Sequence, residues 1–88
     1  MNINKEKKLH LGCGERYLEG YIHVDINTFD HIDYLTKVDD LSMFENESVY
    51  EIYASHVLEY FDIFESIDVL KEWNRVLVPG GKLRSAVP

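Results

Sequence analysis

Five short runs of β-forming residues, the first four closed by glycine or a polar residue, punctuate the chain, and a longer segment of helical period lies between the last two. Lys8-Leu9-His10-Leu11 runs into Gly12-Cys13-Gly14, and the β-rich run Tyr21-Ile22-His23-Val24-Asp25-Ile26 carries an acid near its end. Asp33 to Val38 forms a third run that leads to Asp39-Asp40-Leu41. Polar Glu45-Asn46-Glu47-Ser48 marks a loop before the fourth, Val49 to Ala54, which ends at Ser55-His56. Runs of this length between turn-forming residues predict buried strands.

From Ile63 to Leu77 the period changes. Ile63, Ile67, Leu70, Trp73 or Asn74, and Leu77 recur at helical spacing, and Phe64 and Val76 widen the stripe. Asp62, followed three residues later by Glu65, resembles a capping box with Asp as the cap. Pro79 stops this helix, Gly80-Gly81 makes a turn, and Lys82 to Val87 reads as a fifth strand.

Strands alternating with helical or loop segments predict an α/β fold with a mainly parallel, Rossmann-like open sheet. One connection is anomalous. Only Glu15 to Gly20 separate the first two strands, too few residues for the crossover helix that normally joins parallel neighbours. Either the helix is reduced to a turn or these strands are not parallel neighbours. In open α/β sheets ligands bind outside the carboxyl ends of the strands. Gly12 to Gly14, Asp25, Asp39-Asp40 and Ser55-His56 all fall there.

Composition narrows the function classes. The 88 residues make one small domain, spanning 1–88, with 45% hydrophobic residues to supply a core. A formal charge of −7 argues against nucleic acid as a partner, because phosphate neutralisation needs clustered Lys and Arg. The lone Cys13 excludes an internal disulfide and suits a reducing cytoplasm. No apolar run reaches the length of a membrane span, and the first residues lack the apolar core of a signal peptide. The expected location is cytoplasmic.

Several residues invite a chemical reading, each beside a plainer one. Gly12 and Gly14 let a backbone approach a ligand, or simply make a tight turn. A dinucleotide fingerprint would need a third glycine where Tyr17 stands and an acid about 20 residues on, whereas Asp25 follows Gly14 after ten residues. A nicotinamide-dependent oxidoreductase is therefore disfavoured. Asp25 is placed to accept two ribose hydroxyls, or is a solvated acid at a strand end. Asp40, followed by Leu41, is placed to meet an adenine, or belongs to a surface turn. His56 and Glu59 share metal-ligand spacing, but no second pair accompanies them and no metal is expected. His56 is a weak candidate for a general base, and otherwise lines the pocket. Cys13 has no partner base in sequence, and Trp73, Phe61 and Phe64 read as core.

Taken together these segments resemble class I S-adenosylmethionine-dependent methyltransferases. Leu9-His10-Leu11-Gly12-Cys13-Gly14 resembles their glycine-rich first motif. Gly20-Tyr21-Ile22-His23-Val24-Asp25-Ile26 is similar to the second-strand motif of the type 11-like subgroup, in which the first helix is nearly absent. Residues 52–59 and 73–84 are similar to its fourth-strand and post-helix motifs, although Tyr60 stands where that family usually has a histidine. The resemblance implies that Gly12, Cys13 and Gly14 hold the methionine part of the cofactor and Asp25 the ribose. It further implies that Asp40 and Leu41 meet the adenine and that Ser55 or His56 flanks the sulfonium. The implied function is methyl transfer to an acceptor the sequence does not name.

Family members continue beyond the point matching Pro88, so the resemblance also implies a truncated fold of about five strands. With strand order 3-2-1-4-5, the fifth strand is left as an open edge, and a homodimer or higher homo-oligomer is expected to cover it. The alternative to an active enzyme is a non-catalytic cofactor-binding or interaction module.

Overall fold

The computed structural model describes residues 7–55, 57 and 61–86. Its elements are β1 (Lys8–Leu11), β2 (Ile22–Asp25), β3 (Tyr34–Leu35), β4 (Val49–Ser55), α1 (Ile63–Val76) and β5 (Leu77–Ala86). The strands form one sheet in the order β3-β2-β1-β4-β5, and all neighbouring pairs are parallel. β1 and β2 are therefore parallel neighbours, joined by a loop rather than a helix. That settles the anomaly of the short connection in favour of a crossover reduced to turns.

Registers across the sheet sort its two faces. Leu9 lies beside Ile22 and Ile52, and Leu11 beside Val24 and Ala54. With Val38, Leu41, Phe44 and Val49 they pack under Val69, Trp73 and Val76 of α1. On the opposite face His10 lies between His23 and Tyr53, and Arg84 follows beside Tyr53. That face over β1 and β2 carries rings in place of a helix. His10 stacks on Tyr53 (centroids 5.0 Å apart), and Tyr17 of the connecting loop stacks on His23 (5.0 Å). Parallel sheets need both faces covered, and here aromatic side chains supply the second cover.

α1 begins where the sequence predicts. Asp62 accepts from the Glu65 backbone N–H, and Glu65 accepts from the Asp62 backbone N–H, closing the capping box. Its buried face keeps only part of the expected stripe, Trp73 and Val76. The core-facing residues are Val69, Trp73 and Val76, whereas Ile63 (72%), Phe64 (76%), Ile67 and Leu70 are exposed. At about 100° per residue, the two lines lie roughly a third of a turn apart. Polar anchors select between them: Trp73 Nε1–H donates to the Val38 carbonyl (2.8 Å), and Arg75 reaches the carbonyls of Leu41 and Phe44.

The C-terminal boundary also shifts. Leu77 is already extended, and β5 starts there rather than at Lys82. Val78 precedes Pro79, which disfavours helix for Val78. Val49 pairs with Leu77 and Glu51 with Lys82, so 78–81 bulge out of the ladder, where a proline is tolerated. β3 is two residues long rather than the predicted Asp33 to Val38. Thr36 N–H still reaches the Asp25 carbonyl, but the chain then turns, with Asp40 N–H bonded to the Lys37 carbonyl. Among the described residues no helix is long and apolar enough to cross a membrane.

Candidate functional site

The carboxyl ends of β1, β2 and β3 converge on one cleft of about 570 Å³, a size suited to a small organic ligand. Gly12, Asp25, Ile26 and Asn27 line one side, Lys37, Val38 and Asp39 another, and Val57, Phe61 and Glu65 a third. Gly12 and Gly14 both adopt positive φ (63° and 59°), the conformation glycine takes without a Cβ penalty. A Cβ at Gly14 would meet nothing within 4 Å, so open space stands over the loop at that point.

Asp25 ties this loop to β2. Its carboxylate is buried (6% exposed), and Oδ2 accepts the Gly14 N–H at 2.8 Å while Oδ1 accepts the Asn27 N–H at 2.8 Å. A carboxylate has about four acceptor positions, so each oxygen retains capacity toward the cleft. Gly12 N–H bonds the Val24 carbonyl at 2.9 Å and fixes the start of the loop. Cys13 sits in this loop but is buried. Burial, with the nearby Asp25 carboxylate, pushes its thiol up to about 11. Such a thiol stays protonated at neutral pH and is a poor nucleophile.

The side formed by Lys37, Val38 and Asp39 is held from beneath by α1. Trp73 fixes the Val38 carbonyl, and Glu72 accepts the Leu41 N–H at 3.0 Å. Arg75 bonds Glu72 and the carbonyls of Leu41 and Phe44, and this pairing holds the Glu72 carboxyl below the usual carboxylate range. Val38 and Asp39 are thereby presented to the cleft.

The residues singled out in the sequence distribute unevenly around this geometry. Gly12 and Asp25 line the cleft, and Gly14 is bonded to Asp25. Asp40 and Leu41 stand back from it: Asp40 Oδ1 accepts from Ser42, and Leu41 is fully buried in the core. Their neighbours Val38 and Asp39 take the position over the cleft instead. Ser55 ends β4. His56, Glu59 and Tyr60 lie outside the described residues. Phe61, read from the sequence as core, packs half-buried against the core and also lines the cleft. Among the described residues no group of three or more His, Cys, Asp or Glu could hold a metal ion.

Ile26, Asn27, Lys37, Val57 and Glu65 also line the cleft and were not picked out by sequence. Ile26 directly follows the strand-end acid, and that adjacency was the one signal available for it. The apolar Ile26, Val38, Val57 and Phe61 offer surface for a flat base, beside the polar Asp25, Asn27 and Asp39. A glycine loop open to the cleft, a carboxylate with free acceptor capacity and an apolar slot together fit an adenosyl group carrying an amino-acid tail.

Comparison with known proteins gives one family. A family model described as "Methyltransferase domain" matches residues 22–85. No curated protein and no solved structure matches the chain.

Proposed function

The chain belongs to the methyltransferase domain family, and on that premise we propose that it binds S-adenosylmethionine in this cleft and supports methyl transfer to an acceptor. The observation that carries the reading is Asp25, a buried carboxylate that braces the open glycine loop and faces the cleft with acceptor capacity to spare. Asp25 would take the ribose hydroxyls, and the Gly12–Gly14 backbone would run beside the methionine tail. Val38 and Ile26 would enclose the adenine, with Asp39 near its amino group.

When bound, the cofactor supplies an electrophilic methyl group on a sulfonium. The protein's contribution is then to hold the donor, align the acceptor and exclude water, and proximity of this kind accounts for much of the rate in displacement reactions. A protein nucleophile is unnecessary, and the protonated Cys13 is consistent with that. A base is needed only for an acceptor that must lose a proton.

Calorimetric titration with S-adenosylmethionine, S-adenosylhomocysteine and NAD tests the reading on the wild type and Asp25→Ala. The expected result is binding of both adenosyl ligands, no binding of NAD, and loss of affinity in the variant. A wild-type chain that binds neither adenosyl ligand overturns it. Binding without turnover over a panel of acceptors identifies a non-catalytic cofactor-binding module instead.

Self-association through the outer side of β5 is a second proposal. It is supported by that strand's place at the sheet edge and by Leu83, 44% exposed on it. Sedimentation should show a dimer or larger species at micromolar concentration, and a stable folded monomer refutes it.

A further inference from the structure

The connection from Gly14 to β2 has no helix to order it, so its backbone polar groups need other partners. Two histidines provide them. His23 Nε2 accepts the Leu18 N–H at 3.0 Å, which puts its own proton on Nδ1, facing Asp33 Oδ2 at 3.6 Å. His31, from the loop between β2 and β3, places Nε2 2.8 Å from the Gly14 carbonyl. A carbonyl only accepts, so His31 Nε2 carries the proton and donates.

Two consecutive peptide groups of the glycine loop are thus held from different sides. The 13–14 peptide is fixed through its N–H by Asp25, and the 14–15 peptide through its carbonyl by His31. Between them lies Gly14 with φ 59°, a residue whose backbone otherwise moves freely between left- and right-handed states. The His31 ring is itself fixed, stacked on Phe29 (5.9 Å, 18°) and edge-on to His23 (5.2 Å, 87°).

We infer that His31 is a positioning residue for the cofactor: its Nε2–H locks the Gly14–Glu15 peptide so that the glycine loop stays open to the cleft. The inference rests on the proposed binding of an adenosyl cofactor at that loop. His31 touches no reacting atom. Its effect passes through Gly14, and it substitutes one side-chain hydrogen bond for the ordering that a crossover helix would give.

The test compares His31→Phe, which keeps a stacking ring but lacks the donor, with His31→Gln, whose amide nitrogen reaches nearly as far as Nε2. Calorimetry with S-adenosylhomocysteine and thermal unfolding without ligand are read side by side. His31→Phe should weaken binding about 5- to 30-fold, the range for loss of one such bond, and His31→Gln should recover most of that affinity. A purely structural role predicts that affinity merely follows stability, with no rescue by Gln.

Equal binding by wild type and His31→Phe overturns the inference, as does a His31→Gln that folds as well as wild type yet binds as weakly as the Phe variant. Imidazole nitrogen shifts of the wild type give a readout that needs no variant to fold. A neutral Nε2–H tautomer supports the donor role, and an Nδ1–H tautomer overturns it. A wild-type chain that binds neither adenosyl ligand overturns the functional reading itself, which separates that failure from this one.

Discussion

The Asp25 carboxylate and the Gly14 amide, eleven residues apart, are joined by a 2.8 Å hydrogen bond that ties the end of β2 to the loop leaving β1. Asp25 Oδ1 bonds Asn27 N–H at the same distance, so both carboxylate oxygens serve as acceptors toward backbone donors. Asp25→Asn keeps the shape but turns one acceptor into an NH₂ donor facing an N–H. The variant should lose about 1–2 kcal/mol of stability, in addition to cofactor affinity. Urea unfolding checks this, and a midpoint equal to wild type would show that these bonds do not constrain the loop.

Gly14→Ala separates space from strain. Its φ of 59° costs an alanine about 1 kcal/mol, while the new methyl meets no protein atom within 4 Å. The fold should therefore survive with a small drop in melting temperature. Ligand affinity should fall by more than stability does, because the methyl projects into the open space over the loop. Comparing the two losses in one preparation is the check, and an unchanged affinity would place the ligand elsewhere.

Sequence periodicity reached the strand order's ingredients and the cleft's floor, and failed where tertiary anchors choose between options. Gly12, Gly14 and Asp25 were legible because glycine and a strand-end acid are local signals. The core face of α1 was legible only at Trp73 and Val76. Ile63, Ile67 and Leu70 offer a stripe as regular as Val69, Trp73 and Val76, and the bonds from Trp73 to Val38 and from Arg75 to Leu41 and Phe44 decide the rotation. Trp73, Glu72 and Arg75 together hold the segment whose Val38 and Asp39 line the cleft, an anchoring invisible to spacing. His31 left no trace in sequence either, since its partner is a backbone carbonyl with no residue identity.

Arg75 and Glu72 hold the 38–47 loop from one turn of α1. Arg75 donates to Glu72, Asn46 and the carbonyls of Leu41 and Phe44, and Glu72 accepts the Leu41 N–H. Lysine has one ammonium and cannot span these acceptors. Arg75→Lys should therefore cost about 1–3 kcal/mol, close to the loss in Arg75→Ala. Denaturant midpoints of both variants test this. A lysine variant as stable as wild type would reduce the network to a surface ion pair.

Acid should destabilise the fold well above the range where carboxylates titrate. His10 is fully buried, and neither ring nitrogen has a hydrogen-bond partner among the described residues. Burial first, then the neighbouring His23, Arg16 and His31, pushes it down to about 4, against a smaller opposing pull from Asp25. The rings of Tyr53 and Tyr21 beside it carry no positive charge. His23 is lowered in the same sense, by burial and His31, with Asp33 opposing. A lowered base stays neutral when folded but takes up a proton when unfolded, so the unfolded state binds more protons between about pH 6.5 and 4. Stability should be level above that window and fall through it as pH drops, by roughly 2–3 kcal/mol from His10 alone. Glu51 and Glu72, both lowered, add their losses as pH falls through the ordinary carboxylate range and below it. His10→Phe keeps the stack on Tyr53 and removes a buried polar group that lacks a described partner. It should raise stability at pH 7 by about 1 kcal/mol and flatten the decline between pH 6.5 and 5. Urea unfolding at half-unit pH steps measures both effects, and an unchanged slope in the variant would clear His10 of any part in acid sensitivity.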